Sequence, residues 1–157
     1  MDNEVSKEQW ESIYLSNFFS SPFQSHSFYS LFNSIEGLSA NVFACEENNE
    51  IKALCVVTLQ KEKGVKGYFS RRGIIYGGPL LSIKNLQAAD ALFENIKTYY
   101  KKKAIYVEIR NYFDFSEYLN TFNKVGFQYS PWLNYQVTTL SAEEIKNAFR
   151  NLARKYH

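Results

Sequence analysis

The chain is poor in most of the residues that announce a chemistry. Its 157 residues include two cysteines, Cys45 and Cys55, and two histidines, His26 and His157. The cysteines lack Cys-x-x-Cys spacing and are too few for a disulfide framework. Both sit in apolar, strand-like runs where a thiol serves as a small hydrophobe. No grouping of His, Cys, Asp and Glu has metal-ligand spacing, and with so few histidines a Ser-His-Asp arrangement has little to build on. His26 reads instead as the start of a helix. No apolar run approaches the roughly 20 residues of a membrane-spanning helix. The N-terminal MDNEVSKEQW is polar and acidic, unlike a secretory signal, so a cytoplasmic location is the expectation. Charge of one sign is lacking too. Eighteen Lys and Arg against 16 Asp and Glu leave a net +2, not the strongly basic composition of a general nucleic-acid binder.

What the chain has in excess is aromatic: 13 Phe, 12 Tyr and 2 Trp, against one Met. Such a surplus makes either a thick aromatic core or a surface for binding. The length suits one domain, and a chain of this size buries about 70% of its unfolded surface without a disulfide or metal. Cations gather locally at Lys61, Lys63, Lys66, Arg71 and Arg72, and again at Lys101 to Lys103. The second run suits a helix C-terminus.

Hydrophobic spacing orders the elements. Trp10, Ile13 and Tyr14 predict a helix over 6–15, and Phe28, Leu31, Phe32 and Ile35 a second one from Ser25 or His26 to Gly37. The period then shortens to two. Asn41 to Glu46 and Ile51 to Gln60 read as a hairpin across 47–50, and the second strand is apolar on both faces, as a central strand would be. A third strand is expected over 67–76, bent near Gly73. Leu86, Ala89, Phe93, Ile96 and Tyr100 mark the clearest helix, 84–102, and a strand over 104–110 follows. A short helix with Phe115, Tyr118, Leu119 and Phe122 stops at Gly126, placed as a left-handed cap. Strands are expected over 127–129 and 133–140. Ser141 and Glu144 then form a capping box, stapled by Leu140 and Ile145, opening a helix with an apolar stripe. Residues 1–140 thus read as one domain and 141–157 as a C-terminal helix. That helix leads into an absent second subdomain or packs on a partner, a second copy being one arrangement.

Helix, helix, three antiparallel strands, long helix, strand, short helix and strands is an order that resembles the GNAT acyltransferase fold. The stretch from Tyr118 to Phe127 resembles its helix followed by Gly-Phe and a strand. A closer resemblance is to the first subdomain of the FemAB family, bacterial transferases that add amino acids to peptidoglycan precursors. It is carried by Ser21-Pro22-Phe23-Gln24-Ser25-His26-Ser27-Phe28-Tyr29, by Tyr76-Gly77-Gly78-Pro79-Leu80, by Val107-Glu108-Ile109-Arg110 and by Trp132-Leu133-Asn134-Tyr135. The segment from Phe149 to Lys155 resembles the helix leading into the second subdomain. The resemblance implies an α/β (α+β) fold with a central mixed, mainly antiparallel sheet flanked by helices. It also implies transfer of an amino acid from aminoacyl-tRNA, as co-substrate, to an amine of a peptidoglycan precursor, with tRNA as a further partner and no resident cofactor. Acetyl-CoA is disfavoured as donor. The Arg/Gln-x-x-Gly-x-Gly/Ala loop that cradles its pyrophosphate through backbone N–H groups has no match in Ser70 to Pro79, and Pro79 removes a donor. Two other readings stand beside this one: an acyl-CoA-dependent N-acyltransferase with a degenerate loop, and an inactive GNAT-like binding module.

The candidate substrate-binding residues are Arg71, Arg72, Tyr76, Gly77, Gly78, Glu108, Arg110, Asn134 and Tyr135. Gly77 and Gly78 either admit a ligand close to the backbone or form a tight turn. Arg71 and Arg72 either grip a phosphate by two-pronged contacts or are solvated turn charges. Glu108 and Arg110, on one face of a strand, either pair with each other or line the acceptor cleft. Asn134 and Tyr135 either contact a peptide or begin a polar strand. No catalytic residue stands out. An aminoacyl ester is already activated, so positioning and oxyanion stabilisation supply most of the acceleration.

Overall fold

The computed structural model describes residues 5–61, 64, 66–83, 85–132, 141, 143 and 146. Helix α1 (Lys7–Ser16) is opened by a capping box in which Ser6 and Gln9 satisfy each other's backbone N–H groups. A 3₁₀ turn, Pro22–Gln24, leads into α2 (His26–Ser34), which Ser25 caps by accepting the Phe28 N–H at 3.1 Å. Strands β1 (Ser39–Glu47) and β2 (Glu50–Gln60) form the expected hairpin, with Asn48 and Asn49 at positive φ in its turn. A helical turn α3 (Lys66–Phe69) precedes β3 (Arg72–Gly77) and the short β4 (Leu80–Leu81). Helix α4 (Leu86–Tyr100), β5 (Tyr106–Asn111), a second 3₁₀ turn (Ser116–Tyr118) and α5 (Leu119–Val125) follow.

The sheet runs β1-β2-β3-β5, with β4 paired to β2 beyond the end of β3. β1, β2, β3 and β4 pair antiparallel, and β3 pairs parallel with β5 from Arg72 opposite Tyr106 to Gly77 opposite Asn111. The sheet is therefore mixed and mainly antiparallel, with the doubly apolar β2 between neighbours as expected.

Two expected strands are corrected. The third begins at Arg72, because Gly64 at positive φ and the Gly67 N–H to Gly64 carbonyl bond turn the chain into α3 first. Gly73 lies in register opposite Leu59 and Val107. An added Cβ there would stand 3.2 Å from both the Val57 and Val107 side chains, so the glycine serves close packing. Residues 127–130 form no strand. Gly126 takes φ 97° and the Phe127 N–H returns to the Phe122 carbonyl at 3.0 Å, which keeps Phe127 as part of the helix cap. The strand expected over 133–140 lies outside the described residues. So does the helix expected after Ser141, of which only isolated positions are described.

Alternate residues of β2 divide between two cores. Ala53, Cys55 and Val57 face α4 and α5, where Leu92, Phe93, Ile96, Phe115, Tyr118 and Phe122 pack against Ile75 and Leu81. Leu54 and Val56 face α1 and α2, meeting Trp10, Ile13, Ala40 and Leu80. Phe93 is fully buried, edge-on to Phe122 at 5.0 Å and to Phe127 at 5.8 Å. Among the described residues, part of the aromatic surplus is thus core: Trp10, Phe19, Phe93, Tyr100, Phe115, Tyr118 and Phe122 are buried. At the outer strand β1, the Asn33 side chain of α2 takes both backbone groups of Ala40, accepting its N–H at 2.8 Å and donating to its carbonyl at 3.2 Å.

Candidate functional site

The α1–α2 layer does not extend over the whole face it covers. Beyond it, the same face of β3 and β5 presents Arg72, Tyr76, Tyr106, Glu108 and Arg110, because alternate residues of paired parallel strands share a side. Tyr106 is 49% exposed and Arg110 is exposed.

These groups form a connected polar ladder. Arg72 Nη2 donates to Gln60 Oε1 at 3.4 Å, and Gln60 Nε2 donates to the Tyr76 hydroxyl at 2.8 Å. The Arg110 guanidinium lies 5.4 Å from the Tyr76 ring centre, and its Nε donates to Glu108 Oε1 at 2.6 Å. The hydrogen bond that Arg110 donates to Glu108 raises the pKa of its guanidinium above the ordinary value. Phe23 packs from the 3₁₀ turn onto both Tyr76 and Tyr112, with ring centres 5.4 and 5.9 Å away.

The end of β3 is shaped by a residue that carries no charge. The β2–β3 ladder stops at Thr58 opposite Ile74, and β2 pairs next with β4 at Ala53 and Leu54. Between them Gly77 (φ 80°) and Gly78 (φ 87°) lead the chain away from β2. The Gln24 side chain fills the gap. Its Oε1 accepts the Val56 N–H at 2.7 Å, and its Nε2 donates to the Val56 carbonyl at 3.4 Å and the Tyr76 carbonyl at 2.9 Å. Trp10 Nε1 in turn donates to the Gln24 carbonyl at 2.9 Å. Gln24 is fully buried and meets the rule that buried backbone groups find partners.

The structure therefore brings Arg72, Tyr76, Glu108 and Arg110 together. Glu108 and Arg110 make the ion pair that their spacing allowed. Arg71 stands apart at the end of the sheet, where its carbonyl accepts the Ile105 N–H at 2.8 Å. Gly77 and Gly78 are buried, and the space a Cβ would take is filled from within. At Gly77 it would overlap the Ser21 hydroxyl; at Gly78 it would lie 2.6 Å from the Phe115 ring and 2.8 Å from Asn111 Oδ1. Asn134 and Tyr135 lie outside the described residues. Gln24, Gln60, Phe23 and Tyr112 had no assigned part, since neutral side chains in a turn or at a strand end give no periodic signal. Their nearest clue was that Phe23 and Gln24 sit in the segment before the second helix that carries the family resemblance.

Two guanidinium groups, a phenol, an amide and a carboxylate suit a ligand with anionic and hydrogen-bonding groups. Glu108 is engaged by Arg110. Among the described residues no group of three or more His, Cys, Asp or Glu is placed to hold a metal, and no helix is long and apolar enough to cross a membrane.

Mixed sheet, flanking helices and the parallel β3–β5 junction define the GNAT acyltransferase fold, here in a FemAB-like form. Superposition on solved structures bears this out. FemX matches with a TM-score of 0.65 at 16% identity, over 79% of this chain and 31% of its own. The apo aminoglycoside 6′-N-acetyltransferase AAC(6′)-Ig from Acinetobacter haemolyticus matches with a TM-score of 0.57 at 12% identity, over 88% of this chain and 95% of its own. An acetyltransferase from Trypanosoma brucei gives 0.57 at 13% identity, over 85% and 96%. The chain thus spans about a third of the length of FemX. No family model and no curated protein sequence matches it.

Proposed function

We propose that this chain is the first half of an aminoacyl-transfer machine that works on a peptidoglycan precursor, with aminoacyl-tRNA as donor. The observation that supports it most is the ladder from Arg72 through Gln60 and Tyr76 to Arg110 and Glu108, on a strip left uncovered by α1 and α2. The likeness to FemX adds to it. In this reading Arg72 and Arg110 hold anionic groups of the precursor, and Tyr76 and Glu108 orient its peptide; Asn134 and Tyr135 are also assigned to the peptide. Gly77 and Gly78 hold the β3 end in shape, and Arg71 serves tRNA rather than the acceptor. Attack of the acceptor amine on the aminoacyl ester needs placement more than a strong base, which agrees with Glu108 being tied to Arg110. A second subdomain, or a second copy docked through the C-terminal helix, completes the cleft.

Isothermal titration with a UDP-linked muramyl pentapeptide tests the acceptor site. Saturable heat with the wild type and a loss of about tenfold or more in affinity for Arg110→Ala is the expected result. A folded protein that gives no heat with any precursor overturns it. A second reading, an acyl-CoA-dependent N-acyltransferase, is favoured by the match to AAC(6′)-Ig across 95% of that chain. A saturable thermal shift with acetyl-CoA would establish that reading in place of the tRNA donor.

A further inference from the structure

Three large apolar side chains turn to solvent where the end of α1 meets β4: Leu15, Phe18 and Ile83, at 80%, 74% and 73% exposure. A hydrogen bond fastens their segments together, Asn17 Nδ2 donating to the Leu81 carbonyl at 3.0 Å. Phe18 and Ile83 thereby border one hollow of about 420 Å³, which Ile13, Ile51 and Leu81 also line. Leu15 stands one helical turn beyond Ser12, a further lining residue. The hollow carries no net charge. Its one cation and one anion, Lys52 and Glu50, are hydrogen-bonded to each other. Its remaining polar lining is hydroxyl and amide, from Ser16, Asn17, Asn49 and Ser82 among others.

We infer that this patch is the contact between two copies of the chain related by a two-fold axis, with Phe18 and Ile83 of each copy entering the hollow of the other. Three features select a second copy as the occupant. A two-fold contact sets a patch against itself, so the patch must hold both projection and recess. Here the projecting side chains border the recess that receives them. The patch must also not repel its own image. The Lys52–Glu50 pair is closed within each chain, and no other residue lining the hollow is charged. A nucleic acid or a charged peptide finds no partner in such a lining. The area is also of the right size. Leu15, Phe18 and Ile83 together expose roughly 400 Å², close to the apolar share, about 500 Å², of a homodimer interface that buries about 800 Å² per partner. The contact is separate from the acyl-transfer reading, since it uses neither the Arg72–Arg110 ladder nor any residue past Ile83.

Sedimentation equilibrium of the full chain, from about 1 to about 200 μM, tests it. The wild type is expected to dimerise with a Kd on the order of 10 μM or tighter. Phe18→Asp and Ile83→Asp should each weaken the dimer about thirtyfold or more, because each then sets a carboxylate in an apolar contact. Leu31→Asp, at a 61% exposed position on α2, should leave the Kd within about twofold. Far-UV circular dichroism should match wild type for all three, because the replaced side chains are exposed. The Phe18 ring leans on Phe19 and Phe113, whereas Ile83 lies outside both cores. If Phe18→Asp fails to fold, Ile83→Asp therefore gives the answer. A wild type that stays monomeric throughout, a dimer indifferent to Ile83→Asp, or a dimer weakened as much by Leu31→Asp overturns the inference.

Discussion

The two faces of the sheet are built from the same strands and finished differently. Towards α4 and α5, Ile75, Val107 and Ile109 of β3 and β5 continue the apolar core begun by β2. Towards α1 and α2, apolar cover ends over β2 and β4, and the β3–β5 strip carries Arg72, Tyr76, Glu108 and Arg110 instead. One-residue alternation along β3 and β5 thus sets Ile75, Val107 and Ile109 on the packed side and the polar groups on the other, where Ile74, between Arg72 and Tyr76, is the buried exception. The lesson is that substitutions on the two sides should have different signatures: loss of stability on one, loss of binding with stability kept on the other.

The strongest way to break that division is from the packed side. Phe93→Ala empties the space among Phe122, Phe127 and the sheet and should cost about 3–5 kcal/mol, read as a lower urea midpoint. Gln24→Ala probes the boundary, since it strands the Val56 backbone in the interior. A loss of about 2–3 kcal/mol is expected, together with slackened packing at Tyr76 seen as faster amide exchange at the end of β3. If Gln24→Ala is as stable as wild type, the gap between β2 and β3 is not closed by this amide. Arg110→Ala should change stability by less than about 1 kcal/mol, because its pair with Glu108 is solvent-facing. A large drop in Tm would show that the ladder is structural. The smallest effect concerns Asp90, whose carboxyl is held below its ordinary 3.8 chiefly by the hydrogen bond from Lys124. A lowered folded value means its contribution is present at neutral pH and fades as pH falls below about 4. The Tm difference between wild type and Asp90→Asn should therefore be a degree or so at pH 7 and shrink away as the pH falls through the lowered folded value.

Elements with a strong period were legible before any coordinates. Leu86 to Tyr100, the 39–60 hairpin and the Gly126 cap all declare themselves through spacing that a helix or strand alone satisfies. The candidate site was half legible. Tyr76, Glu108 and Arg110 stood out because they lie in segments that carry the family resemblance, Tyr76 before the Gly77-Gly78 turn and Glu108 with Arg110 on one face of a strand. Their meeting depends on β3 lying parallel to β5, a pairing between positions 34 residues apart that no local pattern encodes. Gln24 was illegible in its role. A single amide reaching into a gap between strands leaves no periodicity, and the gap itself arises from Gly77 and Gly78 turning the chain away.

Asn33 performs at the border of the sheet what Gln24 performs inside it, with an amide standing where a neighbouring strand's peptide would be. β1 is the outermost of its side among the described residues, and an open strand border is a template on which a second chain can add itself and begin an aggregate. With the Ala40 N–H and carbonyl already taken, an incoming strand meets an interruption near the start of β1 and must displace a helix side chain to proceed. The same chemistry that lets one residue complete the interior therefore also guards the protein's solubility at its rim.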